Sequence, residues 1–155
     1  MKAYFGAGCF WGIEKKFSLL PGVQNTAVGY MGGDWSNPTY KQVCSGETGH
    51  AEAVEVEFDP EQILYEDLLK HFWQMHNPTS LNYQGWDIGT QYRSAIYYVD
   101  QAQKQAAEQS RDEEITSGRH ADRIVTEITQ AGTFWRAEEY HQQYLDKQNR
   151  GSCPN

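Results

Sequence analysis

Hydrophobic and polar positions alternate most regularly over His50–Phe58, "HAEAVEVEF". Successive strand side chains point to opposite faces. His50, Glu52, Val54, Val56 and Phe58 therefore share one face, and Ala51, Ala53, Glu55, Glu57 and Asp59 the other. Val54, Val56 and Phe58 mark the first face as the one that packs on a core, and Glu52 shares it. Similar apolar runs predict strands at Lys2–Gly8, Val23–Gly32, Tyr92–Val99 and Asp122–Thr129. Helical spacing places Ile13, Phe17 and Leu20 on one side of a helix that stops at Pro21-Gly22. A second helix is expected from Asp59 or Glu66 to His76, with Asp59 and Gln62 as a capping pair and Asn77-Pro78 as its end. Asp100–Ile115 reads as a polar surface helix, and Phe134–Leu145 as a short one.

Several predicted strands follow one another directly, which favours an antiparallel or mixed sheet over a parallel one. The expected architecture is α+β: a two-layer sandwich with helices packed on that sheet, a ferredoxin-like core, long loops and an irregular C-terminal tail. One domain spans 1–155, with 146–155 a mobile tail. Met31–Gly49 and Asn77–Gln91 show no regular period, yet both are rich in Gly, Trp and Tyr, which suits ordered functional loops.

Charge narrows the partners. Thirteen basic and 21 acidic residues give a net charge of −8, which disfavours nucleic acid and anionic membrane. No apolar run nears the ~20 residues of a membrane span, and the start "MKAYFGAG" is not a signal peptide. A cytoplasmic monomer is expected. Three cysteines, Cys9, Cys44 and Cys153, make no disulfide framework. Neither they nor the five histidines carry metal-ligand spacing, so no metal and no bound cofactor are expected.

The cysteines then invite a chemical reading. Cys9 closes a glycine-rich strand end and opens a helix, where unpaired N–H groups favour a thiolate; it also suits plain packing. Phe10 and Trp11 point in different directions, so at least one faces solvent or a ligand. Glu52, on the core face, is desolvated and tends to keep its proton, unless the strand end turns it into water. His50 reads as a supporting residue. Tyr40, Tyr92 and Asp87 in the long stretches are each structural groups or parts of a site. Met31, Trp35, Trp73 and Trp135 read as packing residues. Cys153, near the chain end, is placed to swing towards Cys9, and Cys44 reads as a spare or structural thiol.

"GCFWG" at 8–12 resembles the signature of the peptide methionine sulfoxide reductases of the A type. The resemblance continues through "GYMGG" (29–33), "NPTYKQVCSGETGHAEAVEVEFDP" (37–60), "FWQMHNPTSLNYQGWDIGTQYRSAIYY" (72–98) and "FWRAEEYHQQYL" (134–145). It implies that Cys9 attacks a sulfoxide sulfur and Glu52 protonates its oxygen. Tyr40 and Tyr92 would hydrogen-bond that oxygen, Asp87 order the site, and Phe10 and Trp11 hold the substrate methyl. It further implies the S epimer of methionine sulfoxide in oxidised proteins or peptides as substrate. Cys9 would become a sulfenic acid and then pair with Cys153, and thioredoxin would serve as the external reductant. Rival readings of the same residues are a cysteine peroxidase, a non-catalytic methionine-binding module and a Cys/Glu hydrolase.

Overall fold

The structure is a computed structural model that describes residues 1–148. Cys153 and the remainder of the expected tail lie outside the described residues. In chain order the elements are β1 (Lys2–Ala7), α1 (Phe10–Ser18), β2 (Val23–Met31), α2 (Tyr40–Cys44), β3 (Ala51–Phe58), α3 (Tyr65–Met75), β4 (Tyr83–Gln84), β5 (Asp87–Ile88), β6 (Ser94–Tyr98), α4 (Gln101–Thr116), β7 (Glu127–Gln130), β8 (Trp135–Arg136) and α5 (Tyr144–Gln148). Single 3-10 turns cover Thr90–Tyr92 and Glu139–His141.

Six strands form one sheet in the order β7-β6-β1-β3-β2-β8, and β4 with β5 forms a separate hairpin. Among the described residues only β6 and β7 pair in parallel; the other ladders of the large sheet are antiparallel. The four central strands, β6-β1-β3-β2, with α1 and α3 in the two crossovers, have ferredoxin-like topology. The α+β sandwich expected from the sequence is therefore the fold.

The expected faces of β3 hold. Val54, Val56 and Phe58 enter the main core with Phe5, Phe17, Leu68, Leu69 and Phe72. Phe5 stacks on Phe17 with ring centroids 5.0 Å apart and tilts on Phe72 at 5.2 Å, contacts that fix α1 and α3 on one side of the sheet. The opposite face is not open either. Ala53 there joins Met31, Ala95 and Tyr97 in a smaller buried cluster, flanked by Tyr4, Ala131 and Phe134. Ala51 and Ala53 are small because this second layer lies close above them.

Element ends depart from expectation where side chains found other partners. Helix α3 begins at Tyr65 rather than Asp59 or Glu66: the Asp67 carboxylate accepts from Leu64 N at 3.1 Å and sets the start. Asp59 instead caps a separate turn, accepting from Glu61 N at 2.9 Å. The strand expected at Asp122–Thr129 pairs only over Glu127–Gln130, and that at Tyr92–Val99 only over Ser94–Tyr98. Phe134–Leu145 is not one helix. It is strand β8 on the β2 edge, a 3-10 turn and the start of α5. The Gln142 side chain continues that edge, accepting from Val28 N and donating to Val28 O, both at 2.9 Å. Sheet pairing outcompetes the local helical preference there. Helix α5 carries regular structure to Gln148, past the expected tail boundary, and Lys15 pairs with Asp146 on it.

Both stretches without a clear period contain short elements. Met31–Gly49 holds α2, capped by Thr39, whose hydroxyl accepts from Gln42 N at 3.1 Å. Asn77–Gln91 holds the β4–β5 hairpin.

Candidate active site

Cys9 sits where β1 leaves the sheet and α1 begins, and it is the N-cap of that helix. Gly8 before it takes φ +99°, and a Cβ there would lie 2.9 Å from Gln84 Cγ of the hairpin. Only glycine meets both demands at low cost. The turn presses the hairpin against the chain beside Cys9. Cys9 itself is half-buried.

Glu52 arrives from β3. Its residue is 1% exposed, and Oε1 accepts from Phe10 N, the amide next to Cys9, at 3.1 Å. Oε2 is buried with no hydrogen-bond partner among the described residues. Burial, against the pull of the Phe10 amide and with help from the Asp87 charge, pushes the Glu52 carboxyl up to about 8. The acid therefore keeps most of its proton at neutral pH. The alternative of a strand-end glutamate turned into water is overturned by this burial.

The long stretches deliver the remaining groups. Tyr40 opens α2 and Tyr92 ends the turn that leads into β6. Burial first, and the Glu52 charge second, raise both phenols, Tyr92 to about 12. Both stay protonated donors. The Asp87 carboxyl is raised by burial and acts on Glu52 and Tyr92 through its charge. Cys9, Glu52, Tyr40, Tyr92 and Asp87, drawn from positions 9 to 92, thus converge at one end of the sheet.

Of the two aromatics, Phe10 is 1% exposed and its ring lies among Tyr30, Tyr40 and His141, with centroids 5.8, 6.5 and 5.2 Å away. Trp11 is half-buried and stacks on Tyr144 at 3.9 Å. Phe10 belongs to the core as much as to the site, whereas Trp11 keeps an accessible surface. Among the residues read as packing, Met31 and Trp73 are buried, Trp135 is half-buried and Trp35 is exposed. His50 supports the loop after β2: Nδ1 accepts from Gly33 N at 3.0 Å, so Nε2 donates to Trp35 O at 2.6 Å.

Three supporting residues escaped sequence reasoning. Glu138 accepts from Tyr40 N and the Tyr30 hydroxyl, both at 2.9 Å, and so ties α2 to β2. Burial works to raise its carboxyl, and those bonds outweigh it and hold it below the usual range. His141 is fully buried, accepts from Trp11 Nε1 at 2.9 Å and sits 4.5 Å from the Tyr40 ring; burial lowers its pKa and keeps it neutral. Glu14, 2% exposed, accepts from Gln143 N at 2.8 Å and the Thr26 hydroxyl at 2.9 Å, which locks the start of α5 to α1. For Glu138 and His141 the signal was the polar, aromatic run "EEYHQQY" (138–144), too polar for a core-facing helix. Cys44 is an exposed free thiol close enough to Tyr40 to hydrogen-bond it, which places it at the rim of this site. Among the described residues no three His, Cys, Asp or Glu side chains gather as a metal site, and no helix is long and apolar enough to cross a membrane.

A ferredoxin-like sheet thus presents a helix-capping cysteine beside a buried acid that keeps its proton and two phenols. The family model of the peptide methionine sulfoxide reductases matches residues 1–155, and the chain belongs to that family of enzymes. It is 59% identical to the peptide methionine sulfoxide reductase MsrA of Geobacter sulfurreducens over 98% of this chain and 94% of that protein. Methionine sulfoxide reductase A of Corynebacterium diphtheriae superposes with TM-score 0.87 at 42% identity, covering 99% of this chain and 77% of that one. Reduced Mxr1 of Saccharomyces cerevisiae superposes with TM-score 0.91 at 34% identity, covering 99% and 88%. Mxr1 has also been solved in complex with Trx2; that chain shares the fold, with TM-score 0.66 at 20% identity, covering 100% and 86%.

Proposed function

We propose that this chain reduces the S epimer of methionine sulfoxide in oxidised proteins and peptides, with Cys9 as nucleophile and Glu52 as acid. The observation that carries the assignment is the Glu52 carboxyl: buried, bonded to the amide that follows Cys9, and protonated at neutral pH. A sulfoxide oxygen leaves sulfur only once it is protonated, and an acid with a pKa near the working pH delivers that proton best.

In the proposed reaction the Cys9 sulfur attacks the sulfoxide sulfur. Glu52 gives its proton to the oxygen, and the Tyr40 and Tyr92 hydroxyls donate hydrogen bonds to it. The substrate's sulfur–oxygen bond and the transient bond between the two sulfurs then break as the hydroxyl passes to the Cys9 sulfur, so that methionine leaves reduced by two electrons and Cys9 is oxidised to a sulfenic acid. Asp87 orders the loop beside Glu52, and Trp11 with the edge of Phe10 walls the methyl group. The Cys153 thiol then attacks the sulfenic acid, releasing water and forming a disulfide. The residues after α5 would act as the tail that brings Cys153 to Cys9 within a single 1–155 domain. Thioredoxin dithiol reduces that disulfide; the solved complex of the relative Mxr1 with Trx2 supports this choice of reductant. No bound cofactor enters the cycle, and the enzyme works as a cytoplasmic monomer.

The test supplies separated S and R epimers of a methionine sulfoxide peptide and counts thiols lost per methionine formed. Wild type should turn over the S epimer, and Cys9→Ser should not. Cys153→Ser should give one methionine per enzyme and then stop with thioredoxin as reductant. Turnover of the R epimer alone, or a fully active Cys9→Ser, refutes the proposal.

A further inference from the structure

The β4–β5 hairpin has an inverted hydropathy pattern. Gln84 pairs with Asp87, and Tyr83 with Ile88, so alternation puts the two pairs on opposite faces. The polar pair faces inward and is half-buried: Gln84 packs on Gly8, and Asp87 acts on Glu52. The apolar pair faces outward, with Tyr83 44% and Ile88 77% exposed, and Trp86 at the turn is 90% exposed. Leu81, just before the hairpin, is 64% exposed. Four of the eleven large hydrophobic residues left exposed among the described residues thus fall within eight positions. Surface hairpins ordinarily turn their apolar face to the core. A local cluster of exposed aromatic and aliphatic side chains marks an interaction surface.

We propose that Leu81, Tyr83, Trp86 and Ile88 form a docking rim for an extended polypeptide substrate, gripping apolar residues that flank its sulfoxide. This rests on the function proposed above. Two observations select the occupant. The rim borders the candidate site, because the hairpin that carries it also carries Asp87, which acts on Glu52 from the inner face. The charge within the hairpin is a carboxylate, the half-buried Asp87, and the chain carries net charge −8. That field repels acidic flanks and leaves apolar contact as the source of grip. Residues flanking a buried methionine in a native protein are themselves often apolar, so the rim selects methionines exposed by local unfolding.

The test compares a small substrate, N-acetyl-methionine sulfoxide amide, with two peptides carrying the same sulfoxide between leucines or between glutamates. Dithiothreitol is the reductant, so thioredoxin docking does not enter. Wild type should show the highest kcat/KM on the leucine-flanked peptide. In Trp86→Ser and in Ile88→Ser, kcat/KM for that peptide should fall about tenfold, the size of effect that follows loss of a good apolar anchor, while the small substrate is unaffected. Circular dichroism confirms that the exposed substitutions leave the fold intact. An equal fall on all three substrates, or no fall on any, overturns the rim. So does a raised KM for thioredoxin with dithiothreitol-driven peptide reduction unchanged, since the patch would then dock the reductant. If wild type reduces none of the three substrates, the proposed function fails, and the rim with it. If only the rim is wrong, wild type still reduces the small substrate.

Discussion

Replacing Glu52 with Gln should make the protein a poorer catalyst and, at neutral pH, a more stable fold. The side chain is 1% exposed and holds its proton until about pH 8, whereas the unfolded chain ionises near 4.5. The native state therefore binds the proton more tightly. The stability linked to it is complete below pH 4.5 and is lost as pH rises through 8. At 1.36 kcal/mol per pH unit, about 3 kcal/mol has gone by pH 7. Gln is nearly isosteric, keeps an oxygen for the Phe10 amide and has nothing to ionise. Denaturant midpoints of the fully reduced proteins at pH 5, 6, 7 and 8 measure the effect. The wild-type stability should fall relative to Glu52→Gln across that range, with the gap moving by about 3 kcal/mol between pH 5 and 7.5. Turnover of the S epimer should drop by a factor on the order of 10² to 10⁴, the usual yield of a positioned acid. Parallel stability curves would show that Glu52 is ionised in the native state, and the acid role would fall with them.

Tyr40→Phe and Tyr92→Phe should each lower kcat about 10²-fold with KM little changed, as expected for donors that bind a charge developing in the transition state; a loss confined to KM would contradict that role. His76 is half-buried and bonded to Phe72 O and the Ser94 hydroxyl, 2.8 and 2.7 Å away, and desolvation lowers its pKa to about 4 from 6.5. The unfolded chain then binds the proton more readily, so stability is full above pH 6.5 and is lost as pH falls through 4. Thermal melts should show this decline in wild type and a flatter profile in His76→Gln. Gly8→Ala should cost roughly 1–3 kcal/mol through its positive φ and the contact with Gln84, and reduce turnover by shifting the hairpin; an unchanged melting temperature would contradict the strain.

The alternation in "HAEAVEVEF" was enough to place Glu52 on the core face, because a strand buried on both sides has little freedom in register. Cys9 was legible as a helix start because Gly6 and Gly8 interrupt the apolar run just before it. The segment after Ala131 was not legible. Its order comes from docking on the edge of β2, where Arg136 pairs with Gly29 and Gln142 bonds to Val28. No local period encodes such pairing, so the roles of Glu138 and His141 emerge only from the fold. The same holds for Asp59, whose carboxylate found a nearer amide than that of the expected helix.

The peptide group joining Cys9 to Phe10 has both of its polar atoms committed. Its carbonyl accepts from Ile13 N at 3.4 Å, and its N–H donates to Glu52 at 3.1 Å. The register between nucleophile and acid is therefore carried by one rigid planar unit, and no side-chain rotamer of Cys9 enters into it. Swapping the Cys9 side chain leaves that register intact, so Cys9→Ser reports on chemistry alone. Inserting one residue between Cys9 and Phe10 would instead keep every side chain the sequence has and part the nucleophile from the amide that holds the acid.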